Sequence, residues 1–485
     1  MLRRMGPLGP FIFVAPWMWR HGRLFQPLTS EPPGDSRPNF FNGVKILIYV
    51  GAISLGCAKN RVDTEIMLGL LGQAGYGMTA DPQRADLLLV NTCAFITPAA
   101  RESIKTILEA GRYKQEGRLR AVVVTGCLVQ RYGAALVREM PEIDAVLGTG
   151  EIGKVALVAK QALQGKKPVV IGRPGFVNTI EPRLVTTPLH TAYLKIAEGC
   201  SNCCSFCLIP SLRGPYRSRK REDIMAEAVS LASRGAKELV LVAQDATRWG
   251  TDLYGRAGLP GLLRELARLD GVRWVRVLYA YPAGVSEELL ATLAEEEKIC
   301  KYLDIPLQHV SPYLLKAMNR PVIDARELVR RIRSTVPGIA IRSTFIVGFP
   351  GETEADFAAV EEALREIKFD HVGVFAYSRE DGAPAAGFAG QVPWKVKRER
   401  AGRLRKLARD LSILRNRERV GQEILVLVEG KRGRFFYGRS EADAPEVDGR
   451  VYFTSEQPIE PGDFAGVRIT GARVYDVVGE AVKTV

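Results

Sequence analysis

Cysteine is scarce in this chain: eight residues in 485, too few for the disulfide framework of a secreted scaffold. Histidine is scarcer, with four. His21, His190 and His371 carry no motif, and His309 reads as a structural hydrogen-bonder rather than a ligand. No catalytic acid–base dyad stands out. Long hydrophobic runs are missing as well. Phe11–Trp19 is broken by Pro16 and falls far short of the ~20 residues a membrane span needs, so no membrane partner is expected. Low-complexity tracts are absent. What remains is ordinarily globular, 46% hydrophobic and 25% charged, and long enough for about three domains at ~150 residues each. The net charge of +14 suits a nucleic-acid or ribosomal partner and says nothing about fold.

Residues 1–43 stand apart. Five arginines (Arg3, Arg4, Arg20, Arg23, Arg37) face only Glu31 and Asp35, a balance that mimics a targeting peptide. Seven prolines, from Pro7 to Pro38, oppose an amphipathic helix, and no small-residue cleavage site follows. The segment reads as a disordered extension or a start called too early, and a cytoplasmic location is expected.

From Val44 the texture becomes strand–helix alternation. Apolar strands are expected at Val44–Leu55, Asp86–Asn91, Ala121–Thr125 and Ala145–Leu147. Helices are expected at Asp63–Ala74 and at Ala99–Ala110, the latter closed by Gly111. This is the pattern of a parallel α/β sheet domain, 44–164. Cys57, Cys93 and Cys127 each lie one or two residues past a strand's carboxyl end, the edge where open parallel sheets bind ligands. Either they are three buried thiols, or they converge as a three-thiolate cluster site. The flanking Gly56 and Gly126 would let the backbone approach such a cluster closely.

A proline-rich linker, 165–188, leads to a strand at His190–Ile196 and the loop Cys200-Ser-Asn-Cys-Cys-Ser-Phe-Cys207. Cys200, Cys204 and Cys207 have C-x3-C-x2-C spacing. A tight loop wraps such a trio around the corner of an iron–sulfur cluster, which usually takes four thiolates, so one iron stays open. The alternatives are a zinc knuckle using Cys203, or thiols that merely pack. The spacing resembles the radical S-adenosylmethionine (SAM) superfamily, in which the open iron binds SAM and an aromatic at the place of Phe206 lies beside the adenine. Further strands are expected at Glu238–Ala243, Trp274–Leu278, Leu303–Leu307, Ile339–Val347 and His371–Ala376. Six βα units over 189–419 are too few for a full eight-stranded barrel and match an open partial one. Gln244 and Gln308 at strand ends, with Arg342 and Thr344 facing inward, are candidate SAM contacts, because that rim of a barrel carries chemistry; each is equally readable as a cap or a satisfied core group.

Lys395–Arg419 reads as a solvated connecting helix. From about residue 420 four short strands (Glu423–Glu429, Arg434–Ser440, Val447–Phe453, Asp463–Ala472) make a small all-β barrel over 420–485. Eleven acidic residues outnumber eight basic ones there, which favours a basic protein partner over RNA.

Taken together, Ser54-Leu-Gly-Cys-Ala-Lys-Asn60, Asn91-Thr-Cys93, Thr125-Gly-Cys127 and Lys195-Ile-Ala-Glu-Gly-Cys200 through Gly214 resemble the methylthiotransferase family, and the terminal barrel resembles a TRAM domain. The resemblance covers 44–485. Ala243-Gln-Asp245, Trp249-Gly-Thr-Asp252 and Gly438-Arg-Ser440 resemble the branch that modifies a small-subunit ribosomal protein, S-twelve, rather than tRNA. It implies two 4Fe–4S clusters, SAM, an electron donor such as flavodoxin or ferredoxin, and a sulfur donor. The implied product is 3-methylthioaspartate. Cys203 departs from the family pattern, which has a basic or polar residue there, and residues 1–43 have no counterpart in it.

Overall fold

The computed structural model describes residues 47–175 and 182–484, with two-residue strands at Phe40–Phe41 and Val44–Lys45 that pair antiparallel. Apart from residues 40 and 41, the expected extension lies outside the described residues, as does part of the expected linker. The chain divides into two compact units. The first takes residues up to 186 with 198–200 and 208–215; the second takes 187–197, 201–207 and 216 onward.

The first unit is built on a six-stranded parallel sheet ordered Gly77–Met78, Tyr49–Ser54, Leu87–Thr92, Ala121–Gly126, Ala145–Leu147, Val169–Val170. Leu87–Thr92 and Ala121–Gly126 are buried along their whole length, as central strands covered on both faces must be. The expected strand 44–55 is realised in the sheet over Tyr49–Ser54, with Val44–Lys45 a separate short strand, and the two-residue edge strands at 77–78 and 169–170 carry too little pattern to be read beforehand. The first helix, Ala58–Gln73, begins immediately after Cys57. The next, Thr97–Glu116, runs through Gly111 instead of stopping there. That glycine answers a packing need, because a Cβ on it would lie 2.5 Å from Glu142 Cγ.

The second unit holds six parallel strands in two runs of three. Trp274–Val277, Glu238–Val242 and Thr191–Lys195 form one, and Tyr302–Asp304, Ala340–Val347 and His371–Ala376 the other. Cys300 N donates to Val275 O (3.0 Å) and Ala280 N to Asp304 O (2.8 Å), which stitches the runs into the expected partial barrel. Helix Trp394–Glu418 leads to a closed five-stranded barrel of Glu423–Arg432, Phe435–Ser440, Val451–Thr454, Val477–Thr484 and Phe464–Ala472. The strand Val477–Thr484 escapes the sequence reading because Gly479 and Glu480 interrupt its apolar pattern. Val426, Val428, Phe436, Val451, Phe453, Val467 and Ile469 fill this barrel.

Buried ion pairs seat it on the six-stranded core. Glu238 receives Arg276 Nε at 2.8 Å and Arg439 Nη2 at 2.5 Å, and Arg439 Nε also reaches Glu429. Burial alone would raise the Glu238 carboxyl, but the guanidiniums of Arg439 and Arg276 outweigh it and hold the group at about 2. Arg342 Nη1 donates to Asp448 at 2.6 Å, and Tyr302 donates to the same carboxylate at 2.7 Å. Asp443 and Asp448 are thus internal, and the acidic excess on the barrel surface is smaller than its composition implies. Among the described residues no helix is long and apolar enough to cross a membrane.

Candidate functional site

In the first unit, register builds the site. Ser54 pairs with Asn91 and Asn91 with Thr125, while Thr92 pairs with Gly126. Three adjacent strands therefore end level, and the cysteine beyond each emerges at one edge. Cys57 caps helix Ala58–Gln73, Cys93 follows Leu87–Thr92, and Cys127 opens helix Cys127–Tyr132. None of the eight cysteines is in a disulfide. Burial pushes the Cys93 thiol well up, and negative charge on Cys127 and Cys57 would push it further. Cys127 is also raised by burial, opposed by Arg213 through its charge and a hydrogen bond to the sulfur. The thiols thus lie within one another's fields, where three bare thiolates would repel and bound iron would reconcile them.

The surroundings are tightly specified. Ser103 Oγ accepts from Cys93 N (3.0 Å) and donates to Cys93 O (2.7 Å). Asn60 Nδ2 donates to the carbonyls of Leu55 and Thr92. Asn91 Nδ2 donates to Asn60 O and Thr64 Oγ1, while its buried Oδ1 has no partner. Gly126 has φ +92°, and a Cβ there would strike Asn91 Oδ1 and the Thr92 backbone. A Cβ on Gly56 (φ +90°) would come within 3.1 Å of the Cys93 sulfur. Sequence reasoning missed Arg213. Its Nη1 donates to Asp63 (2.6 Å) and Glu198 (3.2 Å), its Nη2 to Asn60, and its side chain is 4% exposed. An arginine three residues after a proline, at the end of the short helix Ile209–Arg213, gives no sequence signal of such burial.

In the second unit, Ser201–Cys207 is anchored residue by residue. Asn202 Nδ2 donates to Asp245 (2.9 Å), and Asn319 Nδ2 to Cys203 O (2.9 Å). Ser205 N donates to Met318 O and Ser205 Oγ to Ala317 O, while Ala385 N donates to Ser205 O. Cys207 N donates to Cys204 O at 3.0 Å, closing a tight turn. Phe206 packs against Leu314, Met318, Phe349, Tyr377 and Ala385. Burial raises the Cys204 thiol, and Arg320, 3.9 Å from its sulfur, counters that. Arg320 was also missed; its guanidinium sits 4.3 Å over the Tyr281 ring.

Of the expected SAM contacts, Gln308 has the most distinctive setting. Its backbone is left-handed, φ +72°, its N and O are clipped to Thr344 O and Ile346 N, and its buried Oε1 has no partner. Such strain on a non-glycine residue clusters at functional sites. Thr344 stands on the less buried side of strand Ala340–Val347, with Oγ1 3.1 Å from where a Gly373 Cβ would be. Gln244 is half-buried beyond strand Glu238–Val242. Arg342 is held by Asp448, a partner 106 residues away that no local pattern reveals. His309 Nδ1 accepts from Ser311 N (3.0 Å). Among the described residues no three His, Cys, Asp or Glu side chains close around one metal-ion position; a cluster is gripped at its corners over a wider span. The donor chemistry of both trios fits iron–sulfur ligation, and the Gln308 amide fits a polar small molecule.

Three family profiles match in succession: uncharacterized protein family UPF0004 over 49–148, the radical SAM superfamily over 194–364 and the TRAM domain over 420–482. Ribosomal protein uS12 methylthiotransferase RimO of Desulforudis audaxviator is 52% identical over 438 residues, 90% of this chain and 97% of that one. The protein of the same name from Pelotomaculum thermopropionicum is 52% identical over 441 residues, 90% of this chain and 99% of its own. The chain belongs to the RimO family. It is a radical SAM methylthiotransferase, dependent on SAM and iron–sulfur clusters, and the tRNA-modifying reading is not favoured. A solved structure of the radical SAM methyltransferase TsrM from Kitasatospora setae is similar in fold (TM-score 0.52, 18% identity, 70% of this chain and 76% of that one).

Proposed function

We propose that this RimO-family chain adds a methylthio group at the β-carbon of an aspartate in ribosomal protein uS12. In this reading Cys57, Cys93 and Cys127 hold one 4Fe–4S cluster, and Cys200, Cys204 and Cys207 hold the cluster that binds SAM. The observation that carries it is the pair of thiol trios, one past the strand ends of the first sheet and one past the first strand of the partial barrel. Each is one ligand short of a full set, so each leaves an iron for a small molecule. Bound there, SAM and the clusters supply the radical hydrogen abstraction and the sulfur that side-chain acids and bases lack.

The chain's own residues bind and orient. Phe206 offers an apolar wall for the adenine, and the Gln308 Oε1, desolvated and unpartnered, accepts a hydrogen bond from SAM. Gln244 and Thr344 complete the polar lining. Arg342 instead seats the terminal barrel through Asp448. Arg320 balances negative charge at Cys204, and Asn202 with Asp245 holds the loop's opening. The acidic barrel surface attracts a basic ribosomal protein. The reaction draws an electron from a flavodoxin or ferredoxin and sulfur from a separate donor, in the cytoplasm where the ribosome is.

Anaerobic reconstitution with iron, sulfide, SAM and reductant, given either a uS12 peptide or bulk tRNA, tests this. The expected outcome is a methylthio mass on the aspartate-bearing peptide. Modified tRNA with untouched peptide would overturn it.

A further inference from the structure

We propose that Arg213 is a positioning residue for the first cluster: it supplies the buried positive charge that sets that cluster's reduction potential. The segment 208–215, which directly follows the Cys200–Cys207 loop in the chain, thereby completes the first site. The inference rests on the cluster assignment made above. Three observations carry it. Residues 198–200 and 208–215, the two flanks of that loop, pack as part of the first unit. Arg213 is buried, 4% exposed, with Nη1 on Asp63 (2.6 Å) and Glu198 (3.2 Å) and Nη2 on Asn60. Asn60, its Nη2 partner, in turn holds the carbonyls of Leu55 and Thr92, two residues before Cys57 and one before Cys93.

Each partner ties Arg213 to a different part of the site. Asp63 lies on the helix that Cys57 caps. Asn60 spans the ends of two strands through Leu55 O and Thr92 O. Glu198 lies two residues before Cys200. Gly199 (φ +78°) lets the chain pass there, since a Cβ on it would strike the carbonyls of Gly214 and Pro215, and Cys200 N donates to Gly214 O at 3.1 Å. The guanidinium is therefore fixed by both flanks of the loop. A thiolate-held cluster is anionic and becomes more so on reduction, so an adjacent buried cation favours the reduced state, and removing it lowers the potential.

The test uses the full chain with Cys200, Cys204 and Cys207 replaced by alanine, so that only the first cluster is loaded. Iron content, redox titration followed by electron paramagnetic resonance, and circular dichroism are read for Arg213→Gln and Arg213→Lys. The expected result is a lower midpoint potential in Arg213→Gln, largely restored in Arg213→Lys. An Arg213→Gln protein that keeps its cluster at an unchanged potential would overturn the proposal. If Arg213→Gln fails to fold, Arg213→Lys against Asp63→Asn decides. Removing the acid should raise the potential while Lys keeps it near the parent, and no movement in Asp63→Asn counts against the proposal. A parent protein that binds no iron would instead sink the cluster assignment, a separate result.

Discussion

The two cysteine trios place the same number of thiols in opposite ways. Cys200, Cys204 and Cys207 come from eight consecutive residues, and their loop is held by outside hydrogen bonds to Asp245, Asn319, Met318 and Ala317. Cys57, Cys93 and Cys127 come from three strand ends that are level because Ser54, Asn91 and Thr125 lie in register. The first arrangement is local and separable; the second is a property of the whole sheet. The largest expected effect follows from that difference. Cys204→Ala should reduce reductive SAM cleavage to background, whereas Cys57→Ala should leave 5′-deoxyadenosine formation measurable and abolish sulfur insertion. Chromatography of the nucleoside and peptide mass together check this. Equal loss of both activities in the two variants would break the distinction.

A trio that depends on a sheet should be sensitive to backbone changes at the strand ends that replace no thiol. Gly126→Ala places a methyl against Asn91 Oδ1 and the Thr92 backbone at φ +92°. Positive-φ strain costs of order 1–3 kcal/mol before any clash, so a loss of at least ~2 kcal/mol is expected. Denaturant unfolding measures it, and iron content should fall by about the share held at the first site. Full stability with full iron would mean that the strand ends are not the scaffold claimed here.

The same contrast explains what was legible beforehand. The C-x3-C-x2-C loop is visible in eight letters because its cysteines are neighbours in sequence. The first trio is visible only as a repetition, a thiol just past each of three apolar strands, and its convergence needs a register no sequence pattern prints. Arg213 and Arg320 were not legible, because which arginine is buried depends on partners 150 residues away in one case and 116 in the other. The Arg342–Asp448 pair was hidden for the same reason, since nothing local announces a partner 106 residues away. The partial barrel was readable from six apolar strands, while Val477–Thr484 hid because Gly479 and Glu480 break its alternation.

A smaller effect probes how dry the first unit is. Glu102, beside the Ser103 that clasps Cys93, is pushed up to about 7 by burial, with Lys105 pulling back, and its Oε2 is buried without a partner. A carboxyl raised above its unfolded value of ~4.3 holds its proton more tightly when folded. Its contribution is favourable below that value, declines as pH rises to about 7, and is flat above. Glu102→Gln should therefore stabilise the protein at pH 8 by ~1 kcal/mol, discounted for partial exposure, and leave it unchanged at pH 4. Unfolding midpoints at the two pH values check the sign. A variant less stable at pH 8 would mean the carboxylate has a partner after all.

The smallest expected effect separates two adjacent thiols. Cys203 is exposed, its backbone is left-handed at φ +50°, and its sulfur donates to Ser201 O, at 3.6 Å. Cys204 is partly buried with Arg320 at its sulfur. The positive φ turns one side chain out so that the next turns in, and what the loop uses at Cys203 is its carbonyl, held by Asn319. Cys203→Ser should keep iron content and SAM cleavage within about twofold of the parent, a span under ~0.5 kcal/mol. Cys203→Asn, better suited to a left-handed backbone, should do at least as well. Loss of the SAM-binding cluster in Cys203→Ser, with Cys204→Ala retaining it, would exchange the two thiols and show that the ligand is the strained, exposed one.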